Sequence, residues 1–552
     1  MGPVACAPGG RLAGLNEALA REVVERLWQA GVRTFVVCPG GRDAPLVESL
    51  EGVGREAAEV VHFFDERSAA FFALGRTKRD RCPAAVVTTS GTAAAELLPA
   101  MIEAYYEGER LIAVTADRPA RFRGTGAPQA IDQRGLFGSH VVRSIDLDRA
   151  GTDWSLAGVP GTVHVNVCFE EPLLDGWQGT PLLLSPAGSS AGHTPLPEGM
   201  DRPAAVRVQG REGCTEVVRT FLRAHRRPLV VLGALQDPTD QEGVRDFCLA
   251  LGAPVLAEAS SHMWGRVEPL ILHGREASAQ ALVDAGRVGS ILRIGDVPSF
   301  RVWRDLEERT EIPVLSVSRR RWPGLTRGEC IQAEPDRRLP LPREVPTTTW
   351  SPEETHEIVA SDRERGERMA ALLAEYPASE PALVARLSRA IPRGSSVYLG
   401  NSLPIREWNQ FAALEDRAFT MRESRGVNGI DGQVSTFLGT AEPDCENWAV
   451  VGDLTALYDL SAPWALRYLE GITVRIVVVN NGGGRIFGRL FANKNFQNLH
   501  ETGFEGWATL WSIPWMSDTR APDDEPAAII EVRPSAAQTE AFWAAWGARR
   551  SY

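Results

Sequence analysis

Asp453, Asn480 and Asn481 are the residues whose types and spacing first suggest chemistry. Asp453 closes the apolar run NWAVVGD (447–453), and the stretch that follows, TALYDLSAPWALRYL, has helical periodicity. Leu454, Leu457, Leu460 and Trp464 recur there at three- to four-residue spacing, which predicts one amphipathic helix. A second apolar run, Val474–Val479, stops at Asn480, Asn481 and the glycines 482–484. Strand, helix and strand of these lengths predict a right-handed parallel crossover, so both strands end at one sheet edge and Asp453 comes beside Asn481. A carboxylate, an amide oxygen and a nearby backbone carbonyl are hard donors that suit Mg²⁺ when phosphate oxygens complete its octahedron. Glycines let the backbone approach such a ligand closely. Taken alone, an acidic strand end and a glycine-rich turn are more often just that.

A second candidate is Glu66 in HFFDERSAAFFALG, where a strand passes into a helix. The helix macrodipole favours a carboxylate in a first turn, which is the ordinary explanation for a lone DER. Phe63, Phe64, Phe71 and Phe72 surround it in sequence, and partial desolvation by them would raise its pKa into the range useful for proton exchange. Arg42, Arg118, Arg301, Arg406 and Arg425 each fall at a predicted strand end or in a Gly/Pro loop. Singly each reads as a surface residue; several that converged would make a bidentate carboxylate trap. His62 and His140 are the histidines nearest these loops, and a His on an apolar strand is ordinarily a core residue. Triad, P-loop and zinc-protease signatures are absent.

The elements that must carry these residues alternate regularly. Short apolar strands within TFVVCPGGRDAPL, at Val60–Phe64, at Ala84–Thr88 and within RLIAVTADRP are each followed by a loop or a helical pattern, predicting a doubly wound parallel sheet over roughly the first 180 residues. Strands PLVVLGAL, PVLAEASS, SILRIGDVP and PVLSVSRR repeat the form in the middle of the chain. Helix EPALVARLSRAI, strand SSVYLGNS and an extended FTMRESRGVNGIDGQVSTFLGTA lead to the Asp453 region. Pro/Gly/Ser-rich Pro186–Pro203 and Pro-rich Pro335–Pro352 read as linkers. The expected division is 1–185, 204–334 and 353–552, three α/β domains, in keeping with a length of 552 residues.

A composition 44% hydrophobic and 24% charged is that of a soluble globular protein, and a net charge of −12 argues against a nucleic-acid partner. The eight cysteines show neither CxxC nor Cys/His spacing, so zinc and a disulfide framework are not expected. No leader-like start is present, and no apolar run approaches the roughly 18 residues of a membrane span, so no stable membrane insertion and a cytoplasmic location are expected.

The pairing of Asp453 with Asn480–Asn481 resembles the GD(G)…NN signature of thiamine diphosphate (ThDP) enzymes, with Leu454 in place of the usual third-position Gly. Over nearly the whole chain the ordered motifs FVVCPGGRDAPL, HFFDERSAAFFALG, VVTTSGTAAAELLPAMIEA, TADRPARFRGTGAPQAIDQRGLFG, GNSLPIREW, SRGVNGIDG, GDLTALYDL and VVVNNGGGRIF resemble the 2-succinyl-5-enolpyruvyl-6-hydroxy-3-cyclohexene-1-carboxylate (SEPHCHC) synthase family of menaquinone biosynthesis. Leu454 then fits the GDL form of that family. The resemblance implies three doubly wound parallel-sheet domains of the ThDP decarboxylase/carboligase type. It implies decarboxylative addition of 2-oxoglutarate to isochorismate, with ThDP and Mg²⁺ (or Mn²⁺) as cofactors. Glu66 matches the cofactor-activating acid. Asp453, Asn481 and the backbone of Gly483 match the metal ligands, and Ser90, Gly91, Ser402, Ile430, Leu454 and Ile486 match further cofactor contacts. Arg42, Arg118, Gln129, Ser402, Arg406 and Arg425 match substrate-binding residues, with Arg301 a looser addition and Ile486, Phe487 and Leu490 an apolar wall. The family builds its sites between subunits, which implies a homodimer or homotetramer.

Three features depart from the family: PGGRD where PGSRS is usual, Arg485 where a small or neutral residue is usual, and a loop after Leu490 without the usual proline. These bear on substrate choice more than on ThDP. The alternative readings are another ThDP-dependent 2-oxo acid carboligase or decarboxylase, against which the arginines and SRGVNGIDG argue, and a non-catalytic ThDP-fold binding protein. Retention of Glu66 with Asp453 and Asn481 argues against the latter.

Overall fold

Among the described residues, runs of β-branched residues bounded by Gly, Pro and Asp resolve, in the computed structural model, into three six-stranded sheets in which every ladder is parallel. The structure describes residues 14–54, 56–179, 182, 184, 206–207, 211–268, 270–335, 339–340, 342–344, 350–517 and 525–547. The first sheet contains β1 (Thr34–Cys38), β2 (Glu59–His62), β3 (Ala84–Thr88), β4 (Leu111–Asp117), β5 (Arg143–Leu147) and β6 (Val163–Cys168), in the order β2-β1-β3-β4-β6-β5. β1, β3, β4 and β6 are buried along their whole length, as strands covered on both faces must be.

The second sheet contains β7 (Val206–Arg207), β8 (Pro228–Leu232), β9 (Val255–Ala257), β10 (Ser290–Ile294), β11 (Val314–Ser318) and β12 (Glu329–Gln332), ordered β7-β12-β11-β10-β8-β9. The third contains β13 (Ser396–Leu399), β14 (Thr420–Glu423), β15 (Asn447–Gly452), β16 (Val474–Val479), β17 (Trp515–Met516) and β18 (Ala527–Val532), ordered β14-β13-β15-β16-β18-β17. The first and third sheets thus share one strand order. In each, the connection reverses direction between the first and third strands, and the crevice at such a switch point, outside the carboxyl ends of the strands, is where open α/β sheets take ligands.

Two compact units result. The first comprises Met1–Gly199 with Ser424–Glu442 and Thr455–Ile472; the second comprises Met200–Glu423, Pro443–Leu454 and Thr473–Tyr552. In the first unit the helix Glu66–Asp80 packs against the helix Gln433–Thr440 so closely that no side chain fits between them. A Cβ on Gly75 would lie 2.2 Å from the Thr436 carbonyl oxygen, and one on Gly439 would lie 2.2 Å from that of Phe72. In the second unit the middle and third sheets share one apolar core that includes Val230, Leu292, Trp408 and Val477.

Two sequence expectations fail. The single amphipathic helix after Asp453 is a short helix, Asp453–Tyr458, followed by a 3-10 segment, Ala462–Tyr468. Pro463 has no N–H to give the Asp459 carbonyl, and its ring would clash there in a continuous helix. The buried face is also different: Thr455, Ala456, Asp459, Ala462 and Ala465 are covered, while Tyr458 and Leu460 are 52% and 41% exposed. The stretch 419–441, read as extended, is a strand, a turn and then the helix Gln433–Thr440, which packs closely against Gly75. Strands β5, β6, β7, β12, β17 and β18 were not anticipated. The linker Pro186–Pro203 lies outside the described residues, as does part of Pro335–Pro352. Among the described residues no helix is long and apolar enough to cross a membrane.

Candidate active site

The parallel strands of the first sheet deliver their following loops to one edge. Arg42 follows β1, Glu66 follows β2, Ser90 follows β3 and Arg118 follows β4. Glu66 opens its helix behind the N-cap Asp65, whose carboxylate accepts the Ser68 N–H at 3.1 Å. It lines a cavity of about 690 Å³ together with Phe64, Ser90, Gly91, Glu96 and Gln129. Burial, with Asp65 and Glu96 adding like charge, raises its carboxyl above the ordinary range. Phe63, Phe71 and Phe72 are buried, whereas Phe64 is exposed. Gly91, at φ +89°, lets Gln129 approach: a Cβ there would be 3.4 Å from the Gln129 Cα. Gly91 N–H also donates to Gln133 at 3.0 Å.

Arg42 and Arg118 do converge, on a residue that went unnoticed in the sequence. Arg42 Nη2 is 2.5 Å and Arg118 Nη1 3.3 Å from the same oxygen of Glu171. The arginines hold that exposed carboxyl below its usual range, Arg42 most. Glu171 follows β6, so a correct reading of β6 would have put it on this edge. Arg42 N–H donates to Oγ1 of the cavity residue Thr89 at 3.1 Å, and Arg118 Nε donates at 3.0 Å to the carbonyl of Pro128, next in sequence to the cavity residue Gln129. Asp43 of the PGGRD departure is fully buried and accepts the Gly40 N–H at 2.8 Å, and burial pushes its carboxyl up to about 7. It braces the loop and does not oppose Arg42 as a free charge. His62 sits half-exposed, 3.7 Å from Glu51, and His140 packs on Tyr105 and Tyr106; neither lines the cavity.

In the second unit, Asp453 leaves β15 beside the glycine turn that leaves β16. Its Oδ2 accepts the N–H groups of Gly482 and Gly483, both at 2.8 Å, and its Oδ1 accepts that of Leu454 at 2.6 Å. Asn481 Nδ2 donates to both oxygens of Glu380, at 2.9 and 3.1 Å, while its Oδ1 is buried without a partner. An orphaned amide oxygen next to a carboxylate and a glycine backbone fits a hard cation whose remaining ligands are phosphate oxygens. Gly483, at φ +130°, has no space for a side chain, since a Cβ would lie 2.5 Å from the Gln497 carbonyl.

The two departures in this stretch acquire a physical account. Arg485 Nε donates to the Asn481 carbonyl at 3.0 Å, and Gly484 N–H donates to the Gln497 carbonyl at 2.5 Å. Arg485 and the altered loop therefore clamp the glycine turn.

Ser402, after β13, has φ +73°, a strained value for a residue with a side chain, and its carbonyl accepts Arg406 Nη1 at 2.7 Å. Arg301 pairs with Asp305 of its own helix at 3.1 Å. Ile486 packs on the Phe542–Trp543 cluster, and Phe487 and Leu490 are exposed. Arg425 and Ile430 lie on the turn after β14, which belongs to the first unit. Glu380, fully buried behind Asn481, carried no signal in the sequence beyond its place at a helix start.

Residues 18–136 match the model of the thiamine pyrophosphate enzyme N-terminal TPP binding domain. With three parallel α/β sheets, this places the chain in the class of ThDP-dependent enzymes. It is 41% identical to the SEPHCHC synthase of Bdellovibrio bacteriovorus across 96% of this chain and 98% of that one. The SEPHCHC synthase of Akkermansia muciniphila is 36% identical over 92% and 95%, and that of Geobacillus thermodenitrificans 32% over 89% and 84%. The chain belongs to the SEPHCHC synthase family.

Proposed function

We propose that this protein condenses 2-oxoglutarate with isochorismate, releasing CO₂ and forming SEPHCHC for menaquinone biosynthesis. The observation that carries the reading is a half-buried Glu66 in a cavity at the sheet edge that also bears Arg42 and Arg118, in a chain that matches a SEPHCHC synthase over nearly its whole length. Bound ThDP supplies a carbon nucleophile and an electron sink for decarboxylation. Glu66 holds a proton at its carboxylate for exchange with the cofactor's aminopyrimidine, and burial raises that carboxyl above its ordinary range, the direction such an exchange needs. Asp453, Asn481 and the Gly483 backbone would hold Mg²⁺, or Mn²⁺ in its place, and Ser90, Gly91, Ser402, Ile430, Leu454 and Ile486 would shape the cofactor's bed. Arg42, Arg118, Gln129, Arg406 and Arg425, with Arg301, orient the anionic substrates. Guanidinium forks match carboxylates, and the carboxylate of Glu171 already engages two of them.

On this reading the chain divides at 1–185, 204–334 and 353–552, the first segment carrying the acid and the last the metal. Exposed Phe64, Val427, Tyr458 and Leu460 support burial against a second copy, in a cytoplasmic homodimer or homotetramer. The names of the relatives disfavour another 2-oxo acid carboligase. The test supplies purified protein with ThDP, Mg²⁺ and 2-oxoglutarate, with and without isochorismate, and follows CO₂ and the adduct by mass spectrometry. No adduct under any condition sinks the proposal, and turnover of pyruvate alone replaces it with the carboligase reading.

A further inference from the structure

Lys78, Glu103 and Glu107 form a charge cluster inside the first unit that the cavity does not include. They are 8%, 4% and 4% exposed. Lys78 comes from the helix Glu66–Asp80, and the two acids stand one turn apart on the helix Leu98–Glu107. Lys78 Nζ donates to both oxygens of Glu107, at 2.9 and 2.8 Å, and to the Ser424 hydroxyl at 3.3 Å.

The acids face a turn, not each other. Glu107 Oε1 accepts the Arg425 N–H at 3.0 Å. Glu103 accepts the Gly426 N–H at 2.6 Å on one oxygen and the Val427 N–H at 2.8 Å on the other. Three consecutive backbone donors are thus taken by two carboxylates. The fit is tight: a Cβ on Gly426 would lie 2.6 Å from the Glu103 carbonyl and 3.0 Å from Glu107 Cγ.

Burying two like charges one helical turn apart is costly, and an apolar cluster of the same volume would pack the helices with less desolvation. Burial and the neighbouring Glu107 push the Glu103 carboxyl up to about 7, which registers that cost. The arrangement is intelligible when the carboxylates have something specific to hold. What they hold is the start of SRGVNGIDG, the segment that presents Arg425 and, five residues on, Ile430. We infer that Glu103 and Glu107, with Lys78 as their counter-ion, are positioning residues that fix the Arg425–Val427 turn and so aim Arg425 at an anionic substrate. They touch neither substrate nor cofactor; their effect passes through the backbone. The inference rests on the substrate role proposed above for Arg425.

The test uses the full chain with Glu103→Ala and the shape-conserving Glu103→Gln, which keeps one acceptor oxygen. Hydrogen–deuterium exchange read at amides 425–427 is independent of turnover. Those amides should exchange about tenfold faster in the Ala variant and by an intermediate factor in the Gln variant, with the rest of the helix 98–107 unchanged, as loss of a buried acceptor predicts. In steady state the KM for one anionic substrate should rise about tenfold while kcat falls less than about threefold, because ground-state orientation is what is lost. Wild-type exchange at 425–427 in the Ala variant, or faster exchange spread evenly over the unit, overturns the inference. So does an unchanged KM for both substrates with kcat reduced. If the wild-type protein makes no SEPHCHC, the functional reading fails by itself, and the exchange data still decide whether the carboxylates hold the turn.

Discussion

Asp453→Asn separates a structural from a metal-binding role at the end of β15. The carboxylate accepts three backbone N–H groups, two on Oδ2 and one on Oδ1. An Asn that keeps its oxygen toward Gly482 and Gly483 turns its NH₂ on the Leu454 N–H, so one bond is lost. Bonds to a charged acceptor contribute about 1.5–3 kcal/mol each. Against that loss, burial already raises the Asp453 carboxyl, so removing its charge recovers part of a desolvation cost. The net fall in cofactor-free stability should therefore be about 2 kcal/mol or less. On the metal role proposed above, the effect on a dication would be larger, because a full charge would leave the ligand set, and about a hundredfold weaker Mg²⁺-dependent ThDP binding is expected. At a ligand concentration of about 100 Kd, wild-type protein gains about 2.7 kcal/mol from binding, whereas a variant with a hundredfold higher Kd gains about 0.4 kcal/mol. Thermal melts with and without ThDP and Mg²⁺ read both quantities, and calorimetric titration gives the affinity directly. A variant whose melting temperature rises with ThDP and Mg²⁺ as much as that of the wild type refutes the metal role. A variant that cannot fold without cofactor refutes the estimate of its structural share.

Further outcomes follow from the same geometry. Glu66→Gln should bind ThDP with near wild-type affinity yet lose about 10²–10⁴-fold in turnover, as removal of a general acid/base does; full activity in an assay of CO₂ release would end its assigned role. Gly75→Ala forces a Cβ into the Thr436 carbonyl and should destabilise the first unit by about 2 kcal/mol or more, read as a lowered denaturation midpoint; an unchanged midpoint would show that the helices are free to part. Glu276, in the first turn of the helix Arg275–Asp284, accepts the Val302 N–H at 2.7 Å and is pushed by burial up to about 7 from its ordinary value of 4.5, so its share of stability is complete below about 4.5 and disappears as pH rises through about 7. Cofactor-free wild type should therefore lose stability across that window more steeply than Glu276→Gln, and parallel curves would contradict the assignment.

Much of this was legible in the chain because the relevant signals are local. Val474–Val479 ends at glycines whichever way the rest folds, and the run into Asp453 likewise states its own strand and its own stop. β6 was not legible, because VHVNVC interrupts its apolar run with His164 and Asn166, whose polarity is met inside the core: Thr115 Oγ1 lies 2.8 Å from His164 Nε2 and donates to Asn166 Oδ1 at 2.9 Å. The helix Gln433–Thr440 packs against Gly75, which lies hundreds of residues earlier in the chain, so its burial has no local signal. Within the site, residue types named Glu66 and Asp453, whereas Glu171 and Glu380 became visible only through their partners. Arg485, which departs from the family pattern, is explained by the Asn481 carbonyl it reaches, something no spacing rule encodes.

The shared strand order of the first and third sheets has a consequence for ancestry. Two sheets with the same order and the same reversal are what duplication of one ancestral α/β unit would leave behind. On the functional reading proposed above, the two copies would then do different work at their strand ends, with Glu66 after β2 in one and Asp453 after β15 with the glycine turn after β16 in the other. An ancestor with one such sheet, paired with itself, would have had two identical half-sites; divergence let each copy keep one task and discard the other.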